Sequence, residues 1–176
     1  MKTALKISMV CLVAACWCTA CLFPRQPANT ISHYTLEYDS PPAAGVQPLA
    51  LTLSVQPFTV APVYNTRRIV YRDASFKREE YVYHAWRAGP GELVADFLRR
   101  DLQQAGLFQA VLPYGSSAGS RYLLEGSVDQ FLESETHDLW EAALSLTITL
   151  LDGAAGDSSK KILFQKTYSS RTACEH

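Results

Sequence analysis

Four of the five cysteines fall between residues 11 and 21, and they carry the most specific chemistry in the sequence. A thiol that follows a short apolar-to-small box can accept a diacylglyceryl group, and two boxes compete for that role. Val13-Ala14-Ala15-Cys16 fits better by residue type but leaves only a short apolar core behind Lys6. Cys18-Thr19-Ala20-Cys21 leaves a longer core and sets Pro24 and Pro27 directly after the anchor. Cys21 is therefore the expected lipid anchor, with Cys16 as the alternative. The layout in front of it agrees: Lys2 and Lys6, an apolar run from Ile7, then small residues, which is the order of a secretory signal. The run is shorter than the ~20 apolar residues a membrane span needs. Neither candidate cysteine is followed by Asp (Leu22 and Trp17 stand there), which favours an outer-membrane destination.

Elsewhere, residues that could do chemistry are sparse. The histidines at 33, 84, 137 and 176 have no spacing that puts two on one helix face as metal ligands. Cys174 and His176 are too few donors for a metal and read as a tail. Gly115–Ser120 (GSSAGS) lacks the lysine and helix of a phosphate loop, and no Gly-x-Ser-x-Gly elbow occurs. Glu133, Glu135 and Asp138 surround Thr136 and His137 and read as a solvated loop between strands. The expectation is a protein that is not an enzyme and holds no metal, with no cofactor beyond the covalent lipid.

The elements that must carry this chemistry follow from periodicity. Residues 1–20 form the signal, 21–32 a Pro-rich tether, and 33–176 one domain. The formal net charge is −1, and losing Lys2 and Lys6 makes the chain more acidic, which excludes nucleic acid as a partner. One cysteine beyond the signal excludes a disulfide framework. Alternation predicts strands at 33–38, 49–55, 107–113, 121–132, 140–150 and 162–168, and a hairpin with arms at 67–72 and 81–86. Residues 90–105 form the one clear amphipathic helix: Leu93, Val94, Phe97, Leu98 and Leu102 share a stripe, Pro90 opens it and Gly106 stops it. The fold class is α+β, a mostly antiparallel sheet with the helix packed on one face.

Several segments in this order resemble the ABC-type transport auxiliary lipoprotein family. They are His33-Tyr34-Thr35-Leu36, Val55 to Val63 leading into Arg68-Ile69-Val70-Tyr71-Arg72, Tyr81, Tyr83 and Trp86, the 90–105 helix, Tyr122 to Val128, and the 140–150 strand. The resemblance implies an outer-membrane-anchored periplasmic lipoprotein that docks an MCE-domain protein and its ABC transporter for lipid transport between membranes. It leaves a homo-oligomer open. Members run on into a C-terminal helix, whereas this sequence ends at Cys174-Glu175-His176: either it is truncated, in which case a sheet face beside 162–168 is expected to be bare, or this member lacks the helix. By position, Arg68, Tyr71, Arg72, Tyr81, Tyr83 and Trp86 are the expected partner contacts, Arg and Tyr being frequent interface anchors. Two other classes compete. An activator of cell-wall synthesis needs a longer tether, because residues 22–32 at roughly 3.3 Å each reach only about 36 Å. A hydrolase needs a nucleophile and base beside His84 or His137.

Overall fold

A single long strand organises the sheet. In the computed structural model, which describes residues 29–43, 45–73, 75–136, 139–154 and 161–174, β7 (Tyr122–Thr136) is paired along both edges. On one side lies β8 (Leu139–Asp152), antiparallel from Tyr122↔Asp152 to Thr136↔Leu139, and beyond it β9 (Ile162–Ala173), antiparallel to β8. On the other side three short strands follow one another along the same edge. β2 (Leu49–Val55) meets residues 122–124, β3 (Thr59–Val60) meets 127–128, and β4 (Arg68–Arg72) meets 133–134, all parallel to β7. β6 (Phe108–Pro113) extends the sheet beside β2, and β5 (Arg78–Trp86) beside β4, with β1 (Ser32–Tyr34) outermost.

The sheet is therefore mixed, not mostly antiparallel. Its antiparallel pairs are β7–β8, β8–β9 and the β4–β5 hairpin, and sequence alternation foresees the strands that make them. Its parallel pairs are β1–β5, β2–β6 and those that β2, β3 and β4 make with β7, and Pro57 and Pro62 interrupt the segment that runs beside β7. Proline has no N–H to give a ladder, so the segment breaks into β2, β3 and a turn of 3-10 helix at Pro62–Tyr64 before β4 resumes. The polar stretch Glu133–Thr136 is strand and not loop, because β8 pairs with it to the end. Residues 137, 138, 175 and 176 lie outside the described residues, as do Cys16 and Cys21. The first predicted strand is short: β1 ends at Tyr34, and residues 35–40 leave the sheet to cross the helix.

The helix α1 spans Pro90–Ala105 as its periodicity predicts. Glu92 accepts a hydrogen bond from the Gly89 N–H (3.2 Å), satisfying one of the free donors at the positive end. Gly106 stops the helix in the left-handed conformation, φ 66°. Val94, with Leu98 and Leu102, packs on Leu53, Val55, Phe58, Val111, Leu124 and Val128 to form the main core. Leu53 and Val128 are 1% and 0% exposed, and burying such a side chain contributes about 1.5–3 kcal/mol. Phe58 is wedged between sheet and helix where two glycines leave room. A Cβ on Gly126 would lie 2.4 Å from the Phe58 ring, and one on Gly91 would lie 2.3 Å from the Phe58 carbonyl oxygen.

The two faces are covered at opposite ends. A register shift between Val128 and Gln130 keeps Phe131 on the face of Val128, so Phe131, Leu144 and Leu146 continue the α1 face past the helix. On the other face, Tyr64, Val70, Leu132 and Ala143 form a second cluster at the end that α1 leaves bare. The rest of that second face is a ladder of hydroxyls. Ser145 meets Ser169 and Thr147 meets Thr167, each at 2.9 Å, while Gln165 donates to Thr149 at 2.9 Å. Asp129 accepts from Ser127 and Thr147, both at 2.6 Å. These bonds explain how Ser145 and Thr149 are buried on what alternation marks as the polar side of β8.

Candidate functional site

Beyond the end of α1 the first face is an open apolar trough of about 410 Å³. Phe131 and Leu144 form its floor, Trp86, Ile69 and Leu36 one wall, and β9 the opposite rim with Ser170, Thr172 and Cys174. The Trp86 ring lies against Phe131, centroids 5.0 Å apart. β9 is exposed at every residue, including Ile162, Leu163, Phe164 and Tyr168. Its outer edge has no partner among the described residues.

The hairpin β4–β5 positions the second half of the site. Arg68 lies opposite Ala85 but Val70 opposite Glu80, so Tyr81–His84 bulge out against the single residue Ile69. The bulge brings Tyr81 and His84 to the same side, and an aromatic series results. Tyr34 and His84 have centroids 5.6 Å apart, His84 and Tyr81 5.6 Å, Tyr81 and Tyr71 4.5 Å, and Tyr71 and Trp140 6.3 Å. The Tyr34 hydroxyl is also 2.8 Å from His84 Nδ1. The series joins the trough through Glu133, which lines it and accepts a hydrogen bond from Tyr81 at 2.8 Å. Burial, then the bond to Glu133, drives the Tyr81 hydroxyl well above the ordinary tyrosine pKa. The Cys174 thiol is pushed up by burial and by the Glu133 charge. Both groups are therefore neutral at physiological pH.

Of the six expected contact residues, the structure brings Tyr71, Tyr81 and Trp86 to the trough and its aromatic border. Tyr71 donates its hydroxyl to Glu79. Arg72 reaches Ser134 (2.9 Å), which is fully buried. Arg68 makes a long ion pair with Glu80 (3.7 Å), and both are exposed. Tyr83 stands in the bulge, 45% exposed. Leu36, Ile69, Phe131, Leu144 and Cys174 belong to the same site but carry no local signal, since they come from five separate segments. Glu133 is also part of it, not a member of a solvated loop.

A polar groove of about 560 Å³ lies on the other face, lined by residues such as Thr59, Glu125 and Gln165. No group of three His, Cys, Asp or Glu residues suited to a metal occurs among the described residues. Neither is any described helix long and apolar enough to cross a membrane.

Residues 34–174 match the family described as ABC-type transport auxiliary lipoprotein component. The chain belongs to that family. Among solved structures, a Xanthomonas campestris protein of the DUF330 family is similar at 19% identity and TM-score 0.69, over 81% of this chain and 78% of that one. An uncharacterized protein is similar at 15% identity and TM-score 0.57, over 82% and 80%. These likenesses show a shared fold for the auxiliary lipoprotein. PelC from Paraburkholderia phytofirmans, solved as a dodecamer, is more distant, at 14% identity and TM-score 0.46 over 77% and 79%. No curated protein matches the sequence.

Proposed function

We propose that this auxiliary lipoprotein is anchored in the outer membrane by a lipid on Cys21 and faces the periplasm. There it acts as a non-catalytic docking adaptor for an MCE-domain protein fed by an ABC transporter. Family membership supports the transporter association. The observation that carries the docking part is the bulged hairpin: Val82 and Tyr83 stand out at 58% and 45% exposure beside the exposed Arg68. An exposed tyrosine with a neighbouring arginine on a fixed strand pair is the composition of interface anchors.

The test is co-purification from detergent-solubilised membranes of the full-length lipoprotein with the MCE-domain protein of the same bacterium. The wild type is expected to retain that protein, and Arg68→Glu with Tyr83→Ala to lose at least tenfold of it. Absence of the MCE-domain protein from the wild-type eluate, or a cell-wall synthase in its place, would falsify the adaptor reading.

A further inference from the structure

We infer that the polar groove on the second face is a binding site for an uncharged saccharide, a short stretch of a pyranose chain. The sheet register builds it. Glu125 of β7 lies opposite Thr149 of β8, and Thr149 opposite Gln165 of β9, so a carboxylate, a hydroxyl and an amide stand in one row. Strands lie about 4.8 Å apart, so the row spans roughly 10 Å. The next row, Ser127, Thr147 and Thr167, is closed on itself: Asp129 accepts from Ser127 and Thr147, and Thr147 meets Thr167. The first row is left open. Thr149 is 6% exposed, accepts the Gln165 amide at 2.9 Å, and has no acceptor for its own proton among the described residues. Glu125 is exposed, and none of the described residues donates to its carboxylate.

The lining decides the class of occupant. The groove's volume of about 560 Å³ lies within the roughly 300–1,000 Å³ of small-molecule sites. Glu125 is the only charged residue that lines it, so nothing there neutralises a phosphate or a carboxylate. An extended peptide needs partners for its N–H and C=O groups. The floor has none to give, because β7 and β8 are paired along both edges. What stays open is a donor at Thr149, with acceptors at Glu125 and at the side-chain oxygens of Gln56 and Gln165. Tyr114, 67% exposed, adds an aromatic plate beside Pro57. A pyranose meets all of these: each hydroxyl both donates and accepts, and the C–H face of the ring lies on the apolar body of the tyrosine. An organic cation would satisfy Glu125 but not Thr149, since an ammonium group only donates. The inference stands on the groove alone and is independent of docking to a transporter.

The test uses the full-length protein in micelles of lauryldimethylamine oxide, a detergent without a sugar head group. It is titrated with cellotetraose and with chitotetraose, and binding is read by calorimetry and by saturation-transfer NMR. Saturable binding of at least one tetraose is expected. Cellotetraose alone assigns a chain with hydroxyls only, chitotetraose alone an N-acetylated chain, and both a site indifferent to that substituent. Tyr114→Ala and Gln165→Ala should each weaken binding at least tenfold. Both positions are exposed, so the thermal midpoint should stay at the wild-type value. Glu125→Gln keeps an acceptor and loses the charge, and it should bind within threefold of wild type. Absence of saturable binding, or binding that Tyr114→Ala leaves unchanged, overturns the inference. A tenfold loss in Glu125→Gln, or binding of spermidine in place of either tetraose, makes the groove a cation site and overturns it as well.

Discussion

At the scale of single residues, two positions show how closely the interior is fitted. Gly126 lacks a side chain because the Phe58 ring and the Thr147 carbonyl oxygen occupy the space a Cβ needs, at 2.4 and 2.5 Å. Gly126→Ala is expected to destabilise by about 1–3 kcal/mol, the usual cost of overpacking, read from urea denaturation. Asp101 ties residues 35–40 to the helix. It accepts from Tyr38 (2.6 Å) and Ser40 (2.8 Å), while Arg100 stacks over the rings of Tyr38 and Phe97 at 4.5 Å. Burial alone would raise the Asp101 pKa, but the bonds from Tyr38, Ser40 and Arg100 outweigh it and hold the carboxyl below its usual value. Burial, then the bond to Asp101, pushes Tyr38 up to about 12. Because the folded pKa of Asp101 is depressed, its stabilisation is complete above the unfolded value of about 3.9. It is lost as pH falls from there through the folded value. Asp101→Asn should thus be less stable than the wild type at pH 7, by about 1 kcal/mol. The difference should close below about pH 4, and a gap constant with pH would refute this account.

At the scale of elements, α1 is held by its ends as much as by its stripe. Gly106 adopts φ 66°, so Gly106→Ala should cost about 1–2 kcal/mol, visible as a lower thermal midpoint in circular dichroism at 222 nm. β9 raises a different issue. It is a long strand with exposed apolar side chains and an outer edge that is unpaired among the described residues, the arrangement that invites edge-to-edge association. Its charged residues are both cations: Lys166, stacked 5.0 Å from the Tyr168 ring, and Arg171, paired with Glu141 at 3.4 Å. Edge lysines oppose strand addition by a second copy. Lys166→Val should therefore increase light scattering at high concentration and shift the size-exclusion profile to larger species. An unchanged profile would show that the charge has no such role.

At the scale of the whole molecule, the proposed role requires the domain to be held at a membrane. Cys21→Ala should move the protein from the membrane to the soluble periplasmic fraction and abolish palmitate labelling, whereas Cys16→Ala should leave both unchanged. The reverse pattern would assign the anchor to Cys16, and labelling that survives both changes would remove the lipoprotein anchor from the account. With the anchor fixed, a sheet covered at opposite ends of its two faces presents two distinct surfaces, an apolar trough bordered by aromatic side chains and a polar groove along the hydroxyl ladder.

How much of this the sequence determined by itself follows from the range of the forces involved. The limits of α1, the β4–β5 hairpin and the alternation of β8 depend on residues within a few positions of one another. Periodicity, proline and glycine placement record them directly. The parallel pairing of β2, β3 and β4 with β7 was not legible, because it joins segments more than 60 positions apart and no local pattern records which strand a segment will lie beside. The site was legible only in part. Tyr71, Tyr81 and Trp86 announce themselves as interface types, but Glu133 joins Tyr81 across 52 positions and Tyr34 joins His84 across 50. Cys174 reads as a tail, yet its N–H bonds to the Trp140 carbonyl at 2.8 Å and sets the thiol at the rim. Only the tertiary structure decided that the helix ends short of Phe131 and Leu144 and leaves their face open, since coverage of a sheet depends on the relative placement of elements and no local pattern encodes it.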